Sequence, residues 1–227
     1  MTWVKICGIT NLEDALTAVE AGADAVGFVF YEKSPRRVDP ETVREIVRQI
    51  PTGIEKVGVF VSQSAAHINE TSRRVGLTAV QLYEEVSPRG QTIQNLDPAD
   101  RSKTYVVLPA SQLFDEHGGF GGFAWRAEVK DRISAIFVDS GTPQQPGGTG
   151  RTFDWDKAVP AAELIKEAGF NLVIAGGLTP TNVPEAIRIL KPWGVDVSSG
   201  VESKPGKKDP EKIRAFVAAV RQAERLV

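Results

Sequence analysis

Eight short apolar runs recur along this chain, with room for a helix between most of them. That alternation restricts the fold more than any other feature. The runs are Val4–Cys7, Ala25–Phe30, Lys56–Val61, Ala79–Leu82, Thr104–Leu108, Ala135–Val138, Leu172–Ala175 and Val195–Val197. Several are nearly continuous Val, Ile and Phe, the composition of parallel strands covered on both faces. Helix starts stand between them. Asn11 precedes an acidic first turn, Ser64 supplies a cap, and Asp39-Pro40 and Asp209-Pro210 pair a capping carboxylate with Pro at the first helical position. Thr179-Pro180 suggests a further start, and Gly22 should end the first helix. This predicts an α/β fold, a closed (βα)8 TIM barrel forming a single domain over residues 1–227. An open doubly wound sheet is the alternative, but it normally holds fewer strands at this length. Two stretches break the pattern. Glu84–Lys103 suggests a loop or poor helix around Ser87-Pro88-Arg89-Gly90, and Ala110–Asp131 carries two Gly-Gly pairs before a short helix over Ala124–Asp131.

Composition removes several function classes. A net charge of −2 offers no field for nucleic acid or an anionic membrane surface, so an anionic ligand needs local positive groups. No apolar stretch approaches the ~20 residues of a membrane span. The first residues enter a strand pattern without the basic and apolar regions of a signal peptide. One cysteine excludes an internal disulfide and suits a reducing compartment, so a cytoplasmic location is expected. Two scattered histidines and that cysteine give no metal-ligand spacing, so no metal is expected. With no clear apolar stripe on an outer helix, a monomer is expected.

In such barrels, chemistry sits at the C-terminal ends of the strands. The residues there are Cys7-Gly8, the loop Tyr31–Arg37, Tyr83, Asp139-Ser140, Gly176-Gly177 and Ser198-Ser199-Gly200. Glycine loops at two adjacent strand ends predict a phosphate site, because backbone N–H groups can approach an anion closely there. The loop Gly141–Thr152, with Gly147-Gly148-Thr149-Gly150, has the glycine content of a moving lid. Trp3, Lys5 and Cys7 share one strand face. On position alone, Cys7 is either a working thiol or a small buried hydrophobe. Asp139 is either barrel-mouth chemistry or a cap. Arg36 and Arg37 are either a carboxylate grip or a solvated turn.

Ordered motifs then narrow the choice. Lys5-Ile6-Cys7-Gly8-Ile9-Thr10 resembles the opening of phosphoribosylanthranilate isomerases of tryptophan biosynthesis. The likeness continues through Gly22–Ala25, Gly27–Phe30, Ser34-Pro35-Arg36, Val80-Gln81-Leu82, Val138-Asp139-Ser140, Gly147–Trp155, Ala175–Leu178, Gly194–Glu202 and Lys204–Asp209. It therefore spans nearly the whole chain.

The resemblance implies a cofactor-free Amadori rearrangement of a small phosphorylated substrate. It assigns Cys7 as general base and Asp139 as general acid. It places Arg36 on the anthranilate carboxylate and Asp196 near the amine or ring, with Gln81 and Tyr83 also near substrate. Gly148, Gly150, Gly176, Gly177, Ser199 and Gly200 would take the phosphate. The family commonly has Val-Gln-Leu-His-Gly at strand four, where this chain has Tyr83-Glu84 after Leu82. Two other functions fit a phosphate-binding barrel: a histidine-pathway phosphoribosyl isomerase, and a barrel that only binds a phosphometabolite. The former usually carries aspartate at the position of Cys7, and the joint presence of Cys7, Asp139 and Arg36 argues against the latter. Lys5, two residues back on the same face, is the nearest group that could stabilise a Cys7 thiolate.

Overall fold

The computed structural model describes residues 1–83, 91–97, 103–114, 130–141 and 150–225. Eight parallel strands close into a barrel in sequence order: β1 (Trp3–Cys7), β2 (Ala25–Val29), β3 (Glu55–Val61), β4 (Ala79–Tyr83), β5 (Lys103–Pro109), β6 (Ala135–Asp139), β7 (Asn171–Ile174) and β8 (Gly194–Val197). The predicted strand set and closed architecture are those observed, with boundaries moved by a few residues. The shifts that matter bring Asp139 and Tyr83 inside their strands as last residues.

The helices among the described residues are α1 (Leu12–Glu20), α2 (Pro40–Val47), α3 (Ala65–Val75), α4 (Gln91–Asn95), α5 (Trp155–Glu167), α6 (Val183–Leu190) and α7 (Pro210–Ala223). Asn11, Asp39, Ser64 and Asp209 cap their helices as expected, each side chain accepting a first-turn N–H. Gly22, at φ +95°, follows the C-cap of α1.

Thr179-Pro180 does not open a helix. Thr179 and Asn182 exchange hydrogen bonds in a turn, and α6 begins after Asn182 with Pro184 in its first turn. Asp154 caps α5, a helix hidden in the sequence by the glycines before it and by Pro160 inside it. Residues 91–95 of the weak Glu84–Lys103 stretch are helical. The helix expected over Ala124–Asp131 lies outside the described residues except at its end, where Lys130–Arg132 form a 3-10 turn.

Strand alternation divides the interior in two. Outward residues such as Ile6, Val26, Phe28, Val80 and Ile136 pack against the helices. Inward residues fill the barrel, where Trp3 meets Tyr105 and Phe137 edge-on and stacks on Trp193 at 5.2 Å. These aromatics plug the barrel below its C-terminal mouth. Beyond β8, a 3-10 turn (Ser199–Val201) leads into an antiparallel hairpin, β9 (Glu202–Lys204) and β10 (Lys207–Lys208). That hairpin was not foreseen from the tail motif.

Candidate active site

The mouth holds a cavity of about 260 Å³ lined by Cys7, Arg36, Tyr83, Asp139, Gly176, Gly177, Asp196, Ser198 and Ser199, among others. Strand geometry explains its base. β1 and β8 pair with Lys5 level with Asp196, and both side chains point inward. The fully buried Lys5 ammonium donates to both Asp196 oxygens at 2.9 Å and lies 5.6 Å above the centre of the Phe137 ring. The Lys5 charge also acts on the Cys7 thiol two residues along the same strand face. Gly27 makes room for this packing. A Cβ there would lie 2.8 Å from Cys7 Sγ and 2.8 Å from Lys5 Cε.

Burial shapes the charges of this group. It pushes the Cys7 thiol above its ordinary value, opposed chiefly by the Lys5 charge. Burial acts to lower Lys5, but Asp196 and Cys7 overcome it and keep the amine firmly protonated. Asp196 is pushed up by burial and pulled back by Lys5.

Across the mouth, Asp139 is 4% exposed at the end of β6. Its Oδ2 accepts from the Tyr83 hydroxyl at 2.7 Å and its Oδ1 from the Gly141 N–H at 2.7 Å. Burial nonetheless raises its pKa above the usual carboxylate range. Tyr83 is raised well above an ordinary phenol, first by burial and then by the Asp139 charge, so it remains a donor.

The loops after β7 and β8 interlock through glycines. Gly176 and Gly177 have φ of +81° and +65°, a region few other residues enter. A Cβ on Gly177 would sit 2.3 Å from the Arg151 carbonyl carbon, and one on Gly200 only 1.8 Å from the Leu178 oxygen. Gly150, also at positive φ, lies over Ser199. The arrangement brings backbone from both loops to one wall of the cavity, the geometry suited to an anion. Gly148 and segment 142–149 of the expected lid lie outside the described residues.

Arg36 also lines the cavity, next to Ser198 of the β8 loop, but its guanidinium is already held. Glu202 accepts from Nε and Nη2 at 2.8 Å each. Gln81 does not line the cavity. It lies on the inward face below Tyr83, 1% exposed, with Oε1 unpartnered among the described residues. Sequence reasoning missed Glu202 and Lys208. Nothing in local pattern marks Glu202 and Lys208 as buried, since both fall in a polar tail. Ser198 was noted at its strand end, but its buried Oγ, unpartnered among the described residues and beside Arg36 and Gly8, only appears in three dimensions.

No helix among the described residues is long and apolar enough to cross a membrane. The described residues also contain no cluster of three or more His, Cys, Asp or Glu that could hold a metal ion.

Comparison with known proteins agrees with this geometry. Residues 4–219 match the family model described as N-(5'phosphoribosyl)anthranilate (PRA) isomerase. The chain is 47% identical over 222 residues to N-(5'-phosphoribosyl)anthranilate isomerase from Pelobacter propionicus, covering 98% of this chain and 97% of that protein. Among solved structures, it resembles phosphoribosyl anthranilate isomerase from Thermotoga maritima with a TM-score of 0.80, 40% identity, and coverage of 98% and 100% of the two chains. A further isomerase structure, in complex with reduced 1-(o-carboxyphenylamino)-1-deoxyribulose 5-phosphate, matches at 38% identity and TM-score 0.77, covering 98% of this chain and 100% of that one. A barrel with an inward Cys7 facing Asp139 across a glycine-lined mouth, matched along nearly its whole length, thus belongs to the N-(5'-phosphoribosyl)anthranilate isomerase family of enzymes.

Proposed function

We propose that the protein converts N-(5-phosphoribosyl)anthranilate to 1-(2-carboxyphenylamino)-1-deoxyribulose 5-phosphate, an early step of tryptophan biosynthesis, with Asp139 as general acid and Cys7 as general base. The observation that carries this reading is the placement of both groups on one cavity, with the Lys5 charge opposing the burial that raises Cys7. Asp139 is desolvated, which favours the protonated form that an acid needs.

In this scheme Asp139 gives its proton to the furanose ring oxygen as the C1–O bond breaks. The nitrogen lone pair forms an iminium, which acidifies the proton on C2. Cys7 as thiolate removes that proton, giving an enaminol. The enaminol ketonises by gaining a proton at C1 and losing one from the C2 hydroxyl. The proton that Asp139 supplies is matched by the one Cys7 takes, so the net change is an isomerisation and no cofactor takes part. Lys5 favours the thiolate against burial, and the negative charge of Asp196 favours the cationic iminium. Arg36 holds the aryl carboxylate. Gly176, Gly177, Ser199 and Gly200, with Gly148 and Gly150 from the preceding loop, hold the phosphate. Tyr83 stands at the aryl side of the cavity and Gln81 supports it from below.

The test is turnover of phosphoribosylanthranilate, followed by loss of the anthranilate fluorescence. Wild type should turn over. Cys7→Ala and Asp139→Asn should each lose about 10²–10⁴-fold in kcat while folding as wild type. Full activity in Cys7→Ala would eliminate the assigned base, and an inert wild type would eliminate the assigned reaction.

A further inference from the structure

Three buried charges meet beside the cavity with an unequal count. Arg36, Glu202 and Lys208 are 9%, 8% and 1% exposed. Glu202 accepts from Arg36 twice at 2.8 Å and from the Lys208 ammonium at 3.0 Å. One carboxylate therefore faces two basic groups: burial lowers the Lys208 pKa and Glu202 opposes that shift, while Arg36 brings its guanidinium to the cavity wall. A buried ionic triad is seldom the most stable filling for its volume, so its presence calls for another reason.

The hairpin carrying this cluster is itself firmly anchored. Lys208 also donates its ammonium to the Ser198 carbonyl at 3.1 Å and its backbone N–H to Asp14 at 2.8 Å. Thr10 donates to the Gly206 carbonyl at 2.6 Å. The hairpin is thus tied to the loops after β1 and β8, which frame the site. The loop carrying Arg36 packs on the hairpin turn, where a Cβ on Gly206 would lie 3.2 Å from the Pro35 carbonyl oxygen, and Arg36 reaches Glu202 through its side chain. Of the five guanidinium N–H groups, Glu202 takes two, leaving the two on Nη1 and one on Nη2 without a partner among the described residues. That free end presents a second planar fork, matched to another carboxylate.

We propose that Glu202 and Lys208 are positioning residues that fix the Arg36 guanidinium at the cavity wall for the aryl carboxylate of the substrate. This rests on the function proposed above. Glu202 holds one edge of the guanidinium so that the other is presented without searching rotamers. Lys208 holds Glu202 in place at 3.0 Å, and the unused fork of Arg36 is what an anion completes.

The experiment measures binding of two stable ligands by calorimetry: the reduced product analogue, and its counterpart with phenyl in place of 2-carboxyphenyl. Glu202→Gln keeps the shape but turns one acceptor into a donor, and Lys208→Met keeps the aliphatic stem. Glu202→Gln should weaken the carboxylated ligand about tenfold or more, and the phenyl ligand by less than about threefold. Lys208→Met should act in the same sense. In an Arg36→Met background, Glu202→Gln should add little further loss. Equal weakening of both ligands, or no change in either, would reduce the cluster to a structural staple and overturn the proposal. Wild type that binds both ligands while the variants stay unchanged overturns only the positioning role. Wild type that binds neither overturns the proposed function and this inference with it.

Discussion

The Tyr83 hydroxyl donates to Oδ2 of Asp139 at 2.7 Å, linking the last residues of β4 and β6 across the end of β5. The hydrogen bond favours the carboxylate and so works against the burial that raises Asp139. The balance between the two decides over what pH range this residue can give up a proton.

Tyr83→Phe removes that bond while keeping the ring. Asp139 should then bind its proton more tightly, because its charged form loses a donor. In the pH profile of kcat/KM, the limb that reports loss of the acid should move to higher pH, and the maximum should fall about tenfold from lost positioning. A limb that stays put or moves down would show that the acid is another group or that the bond does not form in solution.

Lys5→Met should make the thiol less acidic, since the Lys5 charge is what opposes burial at Cys7. The midpoint for alkylation of Cys7 by iodoacetamide should move to higher pH. Asp196 would also lose its bidentate partner inside the barrel. An orphaned buried charge costs about 3–5 kcal/mol, to be read from denaturant unfolding at neutral pH.

The pH dependence of that loss has a definite sign. Without Lys5 the folded-state pKa of Asp196 stands above its unfolded value. The protonated, neutral form therefore carries no penalty below about pH 4, and the penalty grows as pH rises through the folded pKa. The stability gap between Lys5→Met and wild type should widen from acid to neutral pH. Adding Asp196→Asn to Lys5→Met should flatten it. A gap that narrows with rising pH would contradict the ion-pair assignment.

Gly27→Ala and Gly200→Ala should separate the two ends of the site. A Cβ at Gly27 meets the Cys7 sulfur and the Lys5 stem, which must shift. The loss should be about 1–3 kcal/mol in stability, with the kinetic effect mainly in kcat. At Gly200 the added Cβ meets the Leu178 backbone oxygen, which cannot move without displacing the β7 loop. There KM for the phosphorylated substrate should rise. A purely kcat effect at Gly200 would argue against a phosphate role for that loop.

Much of this molecule was legible in its sequence because the decisive signals are local. Apolar runs mark strands whether or not their neighbours are known, and Asn11, Asp39, Ser64 and Asp209 cap helices through atoms two or three residues away. Alternation turns Lys5 and Cys7 to one face, and the end of a strand places Asp139 and Gly176-Gly177 at the mouth. The failure at Thr179-Pro180 was also local. Asn182 offered a competing turn partner, and the helix waited for Pro184.

Only the tertiary structure decided what each charge faces. Lys5 and Asp196 lie 191 residues apart, Arg36 and Glu202 166, and Tyr83 and Asp139 56. Their pairing follows from the register in which the closing barrel brings β1 beside β8, and from the hairpin folded under the Arg36 loop. Desolvation is likewise a property of the closed barrel. It raises Cys7 and Asp139, and neither shift can be read from a strand in isolation. Sequence determined which groups reach the mouth, because side-chain direction is set by backbone period. Closure determined their partners and their protonation, because electric fields and burial depend on what else is near in space.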